Sequence, residues 1–204
     1  MFEGQCHRDL SKIGGHDLIA TLRVLTPDGT NCPDLAFRWK CGMVHYFTTQ
    51  NAMRRLHGIG EGAYCKPFVV NFPTADSFAI VRKADFYGVE PEQGQAPLMV
   101  IAFQMTVSDS QSQDPKPSHI VRVKDEISIL KAVQHQFGGG KSLWSGSETK
   151  EERDAAISAG EKHVDTIALV FLVPSHCVQG MKYKPALTQQ NAPRKNHAAG
   201  VNKN

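Results

Sequence analysis

The stretch Leu98 to Val107 constrains this chain more than any other. Its first six residues, Leu98 to Phe103, are apolar without a break, which is how a strand buried on both faces reads. A strand of that kind lies inside a sheet and needs a covering layer on each side. Glu90 to Pro97, with two prolines and a glycine, reads as the loop that enters it, and the polar segment Ser108 to Ser118, with Pro115 and Pro117, as the loop that leaves it.

One covering layer is visible downstream. Ile120, Val123, Ile127, Leu130, Val133 and Phe137 repeat at three and four residues, with charged residues between them, so an amphipathic helix is expected up to Gly138-Gly139-Gly140. A second, more exposed helix is expected from Ser147 to His163, where Thr149 and Glu152 have capping-box spacing. Ile167 to Val173 reads as another buried strand, halted by Pro174.

Upstream, Phe2, Cys6, Leu10 and Ile13 share one helical face, and Gly14-Gly15 closes that helix. Leu18 to Leu25 reads as a strand and Thr26 to Gly29 as its turn. Leu35 to Trp39 and Val44 to Thr48 read as short strands, and Ala52 to His57 as a helical turn. Gly58 to Gly62 reads as a flexible connection, and Pro67 to Asn71 and Ala75 to Arg82 as extended segments around Pro73. The order argues for a mixed sheet covered by helices.

With 204 residues the chain suits one domain, and residues 181–204, polar, basic and proline-containing, read as a disordered tail. A net charge of +3 permits a polyanionic partner without demanding one. The five cysteines are an odd number without a Cys-x-x-Cys pair, which argues against a disulfide framework and for a reducing, intracellular setting. No signal-peptide pattern opens the chain and no apolar run is long enough for a membrane helix, so no membrane role is expected. Because Met1-Phe2-Glu3 runs straight into a helix, the N-terminus is expected to be truncated.

Several constellations are too weak to use. Gly140-Lys141-Ser142 follows a helix and has His135 where a phosphate loop needs glycine. Cys41 and His45, with Cys32 or Cys65, match no standard zinc spacing. Trp39, Tyr46 and Phe47 beside Arg38, Lys40, Arg54 and Arg55 form an aromatic and basic neighbourhood suited to bases and phosphates, although core aromatics beside a solvated face is the plainer reading.

The sharpest local signal is Asn71-Phe72-Pro73 with Asp76-Ser77-Phe78, followed by Phe103-Gln104-Met105-Thr106-Val107-Ser108 and then the amphipathic helix. This pattern resembles the core signature of the nuclease-like domains of Crinkler effectors and retrotransposon-hot-spot proteins. Glu3 on the first helix and Leu169 to Pro174 are similar to that family's helix glutamate and last core strand. The resemblance spans residues 2 to about 180 and implies an α/β restriction-endonuclease-like (PD-(D/E)xK) fold, a mixed central sheet flanked by helices with an αβββαβ core, over residues 1–180.

It also implies divalent-metal-dependent phosphodiester hydrolysis of DNA, with Mg²⁺ or Mn²⁺ held by Asp76, Gln104 and Glu3, and Thr106 positioning water. Residues two apart on a strand project to one face, which brings Gln104 and Thr106 together. Gln104 supplies a neutral amide where the strict pattern has a carboxylate, which lowers the expected metal affinity, and Thr106 replaces a cation. Lys116, Arg122 and Lys124 are the candidates for restoring that charge and for binding nucleic acid. The alternatives are a catalytically silent module that binds nucleic acid or a partner protein, and a fragment of a larger modular protein. The basic tail is compatible with a nuclear location.

Overall fold

The apolar run does form the central strand. In the computed structural model, which describes residues 2–12, 18–22, 35–47, 58–68, 75–105, 128–141 and 148–172, it is β6 (Leu98–Met105), buried at every position except Gln104. Before it come helix α1 (Phe2–Leu10) and strands β1 (Leu18–Leu22), β2 (Leu35–Trp39), β3 (Met43–Phe47), β4 (Ala63–Pro67) and β5 (Ser77–Arg82), then helix α2 (Lys83–Tyr87). After it, residues 128–137 are helical (α3), followed by α4 (Lys150–Glu161) and β7 (Val164–Leu172).

Strands β3-β4-β5-β6-β7 form one mixed sheet, and β1 and β2 pair separately as an antiparallel ribbon. β5 is antiparallel to both β4 and β6, whereas β7 runs parallel to β6. A parallel neighbour requires a crossover, and α3 and α4 lie in that connection. The described chain is therefore a mixed α/β protein whose five-stranded sheet is flanked by helices.

Alternation along the strands sorts the core into two layers. Cys65, Phe78, Ile80, Val100 and Ala102 face Ile129 and Val133 of α3, while Tyr64, Ala79, Val81, Met99, Ile101 and Phe103 face Leu10 of α1, Phe37 and Trp39 of the ribbon, and Phe86 of α2. Trp39 Nε1 donates to the Leu10 carbonyl at 2.8 Å, which satisfies one orphan carbonyl at the end of α1 and fixes that helix on the sheet.

Helices α3 and α4 cross through glycine. A Cβ on Gly160 would lie 1.8 Å from the Gln134 carbonyl oxygen, and one on Gly138 would lie 1.8 Å from that of Ala156. Gln134 Nε2 also donates to the Val164 carbonyl at 2.9 Å, so α3 pins the start of β7. Thr149 and Glu152 make the expected capping box.

The structure departs from the sequence reading around β4. The strand occupies Ala63–Pro67, earlier than the extended segment expected from Pro67, because its alternating polar residues and flanking glycines masked the pattern. β5 starts at Ser77 rather than Ala75, with Asp76 in the bend before it. The short helix α2 has little periodicity and is closed by Gly88 at φ 72°. β7 begins at Val164 rather than Ile167, and β3 at Met43 rather than Val44. The expected turn at 26–29, the helical turn at 52–57, the loop at 108–118, the start of the amphipathic helix at 120–127 and the tail at 181–204 lie outside the described residues.

Candidate functional site at one end of the sheet

Register decides which residues meet. Ser77 pairs with Phe103 and Phe78 with Ala102, so Asp76 falls level with Gln104 where the β5–β6 ladder ends. The Asp76 N–H still donates to the Phe103 carbonyl at 2.9 Å. Its side chain then takes over from the backbone: Oδ2 accepts from Gln104 Nε2 at 2.9 Å and from the Met105 N–H. The carboxylate thus closes the ladder and collects two donors, which holds it in one place.

Gln104 is the half-buried interruption in an otherwise buried strand, and Asp76 accounts for it. A buried amide needs a partner, and this one has a charge-assisted hydrogen bond. The amide's nitrogen and oxygen are nearly the same size, so a half-turn of the group presents Oε1 instead of N–H toward the same place. Without a cation that turn sets oxygen against oxygen. A divalent cation reverses the preference, since Mg²⁺ takes hard oxygen ligands.

The residues fit such an ion in part. Among the described residues no group of three His, Cys, Asp or Glu side chains is placed to hold a metal. Asp76 and Gln104 offer one carboxylate and one amide oxygen, and Mg²⁺ sites built on one carboxylate are normally completed by water and substrate phosphate. Thr106, Lys116, Arg122 and Lys124 lie outside the described residues.

Glu3 takes part in a different arrangement. Its carboxylate is 3.5 Å from His7 Nε2, one turn along α1. His7 Nδ1 lies 2.7 Å from the Tyr64 hydroxyl, which donates to Ser77 Oγ at 2.9 Å. His7 thus turns Nδ1 to the Tyr64 hydroxyl and Nε2 to the Glu3 carboxylate. His7, Tyr64 and Ser77 are all buried, and Ser77 is the residue next to Asp76. A chain of polar contacts therefore runs from the surface carboxylate of Glu3 to the backbone that carries Asp76.

Burial sets the electrostatics of this chain. It pushes the His7 pKa down, the positive charge of Lys66 adds to that, and Glu3 opposes both. Burial pushes the Tyr64 phenol well above its usual range, with the Ser77 hydrogen bond opposing and the charges of Cys6, Cys41 and Asp76 adding to the rise. Tyr64 is thus a neutral hydrogen-bond relay at ordinary pH, not an acid.

Lys66 is a cation that the sequence reading missed. Cys65 pairs with Phe78, so Lys66 stands one step nearer the strand end, level with Ser77. On its other side it pairs with Tyr46 of β3. The signal available in sequence is the spacing of Tyr64 and Lys66, two apart on one strand, in a stretch to which the sequence pattern assigns no element.

The aromatic neighbourhood divides. Trp39 and Phe47 are core residues, whereas Tyr46 is exposed and meets the exposed ring of Phe68 edge-on at 5.7 Å. Arg54 and Arg55 lie outside the described residues. The cysteines do not gather: Cys41 and Cys65 are buried in different core layers, where desolvation raises both thiol pKa values. Cys32 lies outside the described residues.

No family model, curated protein or solved structure matches this chain. Among the described residues no helix is long and apolar enough to cross a membrane.

Proposed function

We propose that the chain is a nuclease-like module of the restriction-endonuclease type, acting on the phosphodiester backbone of DNA with Mg²⁺ or Mn²⁺. The observation that carries this reading is the meeting of Asp76 and Gln104 at the shared end of β5 and β6. Part of the topology supports it: the antiparallel strands β4-β5-β6 are followed by a helical crossover to the parallel strand β7, with β1, β2, β3 and α2 as elements beyond that core.

Asp76 and the turned amide of Gln104 hold the ion, with Glu3 and Thr106 as the further candidates that the family resemblance supplies. When bound, the ion polarises the phosphoryl oxygens and lowers the pKa of a bound water. The chain's own residues do the rest. The Met105 N–H keeps Asp76 oriented. The Glu3–His7–Tyr64–Ser77 chain fixes α1 and the start of β5 relative to each other.

A second reading, a catalytically silent module that binds nucleic acid, is favoured by one observation: the Asp76–Gln104 pair is already satisfied by N–H donation. Plasmid DNA incubated with the purified protein and Mg²⁺ or Mn²⁺ separates the two. Nicking that EDTA and Asp76→Ala abolish supports hydrolysis. Retention of plasmid on a gel without nicking in either metal supports binding alone.

A further inference from the structure

Resting on the reading of the chain as a nucleic-acid module, we infer that Tyr46, Phe68 and Lys66 form a stacking platform for unpaired bases, a single-strand site separate from the Asp76–Gln104 pair. Tyr46 is 57% exposed and Phe68 72% exposed. Strand alternation puts Tyr46 and Lys66 on the face of Val44 and Tyr64, opposite the face of Phe78 and Ala102 to which Asp76 and Gln104 belong. Isolated exposed apolar residues are ordinary, but two aromatic rings in contact beside a cation are a composite surface.

The platform is held in place by the fold. Tyr46 pairs with Lys66 across β3 and β4, and the Phe68 N–H donates to the Phe47 carbonyl at 2.7 Å, extending that ladder to the platform. The two rings meet edge to face at 72°, which leaves ring faces open to a third aromatic body. Lys66, half-buried and paired in register with Tyr46, supplies the charge complement for a backbone phosphate.

That combination selects among polyanions. In a duplex the base faces are stacked on one another and unavailable to protein rings, so among these three residues a duplex would engage Lys66 alone. An unpaired strand offers its bases to Tyr46 and Phe68 and its phosphate to Lys66, the arrangement by which single strands are held without sequence preference. Stacking does not read the 2′-hydroxyl, so single-stranded DNA and RNA should both be held.

The test is fluorescence anisotropy with labelled oligothymidine, oligouridine and a DNA duplex in EDTA, where hydrolysis cannot occur. Both single strands should bind more tightly than the duplex. Tyr46→Ala and Phe68→Ala should each weaken single-strand binding about 5- to 150-fold, and Tyr46→Phe should retain it. Lys66→Ala should lower the dependence of log affinity on log salt by about 0.7. Phe68→Trp should bind with quenched indole fluorescence, a direct readout of stacking.

Single-strand binding that survives the Tyr46→Ala/Phe68→Ala double substitution overturns the platform, as does wild-type protein that binds no single strand. A plasmid-nicking assay run in parallel keeps the two proposals apart. Asp76-dependent nicking with unchanged binding by the double variant rejects the platform alone. Aromatic-dependent binding with nicking indifferent to Asp76→Asn rejects the metal site alone.

Discussion

Replacing Gln104 by glutamate turns the Asp76–Gln104 hydrogen bond into a pair of carboxylates. The amide nitrogen now sits 2.9 Å from Asp76 Oδ2, and Gln104→Glu puts oxygen in its place. A charge-assisted hydrogen bond contributing about 1.5–3 kcal/mol is lost. Two unit charges ~4 Å apart at an effective dielectric of ~20 repel by ~4 kcal/mol, an upper bound at this half-buried position because solvent screens it. The pair relieves the repulsion by sharing a proton, which raises a carboxyl pKa in the folded state.

The sign follows from proton linkage. A folded state that binds the extra proton more tightly than the unfolded chain is stabilised at low pH and loses that stability as pH rises. Gln104→Glu should therefore be roughly 2–4 kcal/mol less stable than the parent at pH 8 in EDTA, with a smaller deficit at pH 5. At 2–4 °C per kcal/mol for a chain of this size, Tm should fall by about 4–16 °C. Mg²⁺ at ~100 times its Kd should restore about 2.7 kcal/mol to the variant. Thermal unfolding over a Mg²⁺ series at both pH values measures all of this. A variant as stable as the parent in EDTA at pH 8, and indifferent to Mg²⁺, refutes the convergence of residues 76 and 104.

Other perturbations probe the surrounding structure. Tyr64→Phe removes the hydroxyl between His7 and Ser77, leaves both buried groups short of a partner, and should cost about 1–3 kcal/mol in urea unfolding. Since burial lowers the His7 pKa, stability should fall as pH drops below the unfolded histidine value, with a slope of at most about 1.4 kcal/mol per pH unit; His7→Gln should flatten that slope. Gly160→Ala forces a Cβ to within 1.8 Å of the Gln134 carbonyl oxygen, so α3 and α4 must separate, and about 1–3 kcal/mol or more should be lost in the same assay.

The elements visible in sequence were those whose local pattern agrees with their burial. β6 is apolar from Leu98 to Phe103 because both its faces are covered, and α4 carries its start signal in Thr149 and Glu152. β4 is hard to read because its five residues include Lys66 and Pro67 and glycines precede Ala63, so no continuous apolar run marks it. α2 was missed because five residues are too few to show a period.

The site divides along the same line. Asp76 stands out through the motif that carries the family resemblance, and Gln104 because an amide within the apolar run of β6 demands a partner. What sequence could not supply was the partner itself, since the match depends on the β5–β6 register. Glu3 was noticed for its place on the first helix, but its contact with His7 depends on α1 packing against Tyr64. Lys66 and Phe68 acquire meaning only once β3 and β4 are paired.

The amide group of Gln104 is itself the most direct reporter. In protein labelled with nitrogen-15, its side-chain resonances can be assigned by their loss in Gln104→Ala and followed as Mn²⁺ is added. The account predicts selective broadening of these resonances at low Mn²⁺, reversed by EDTA and absent in Asp76→Asn. Resonances that stay sharp through the titration, or broaden equally when Asp76 is replaced, would contradict a shared cation site at the end of β5 and β6.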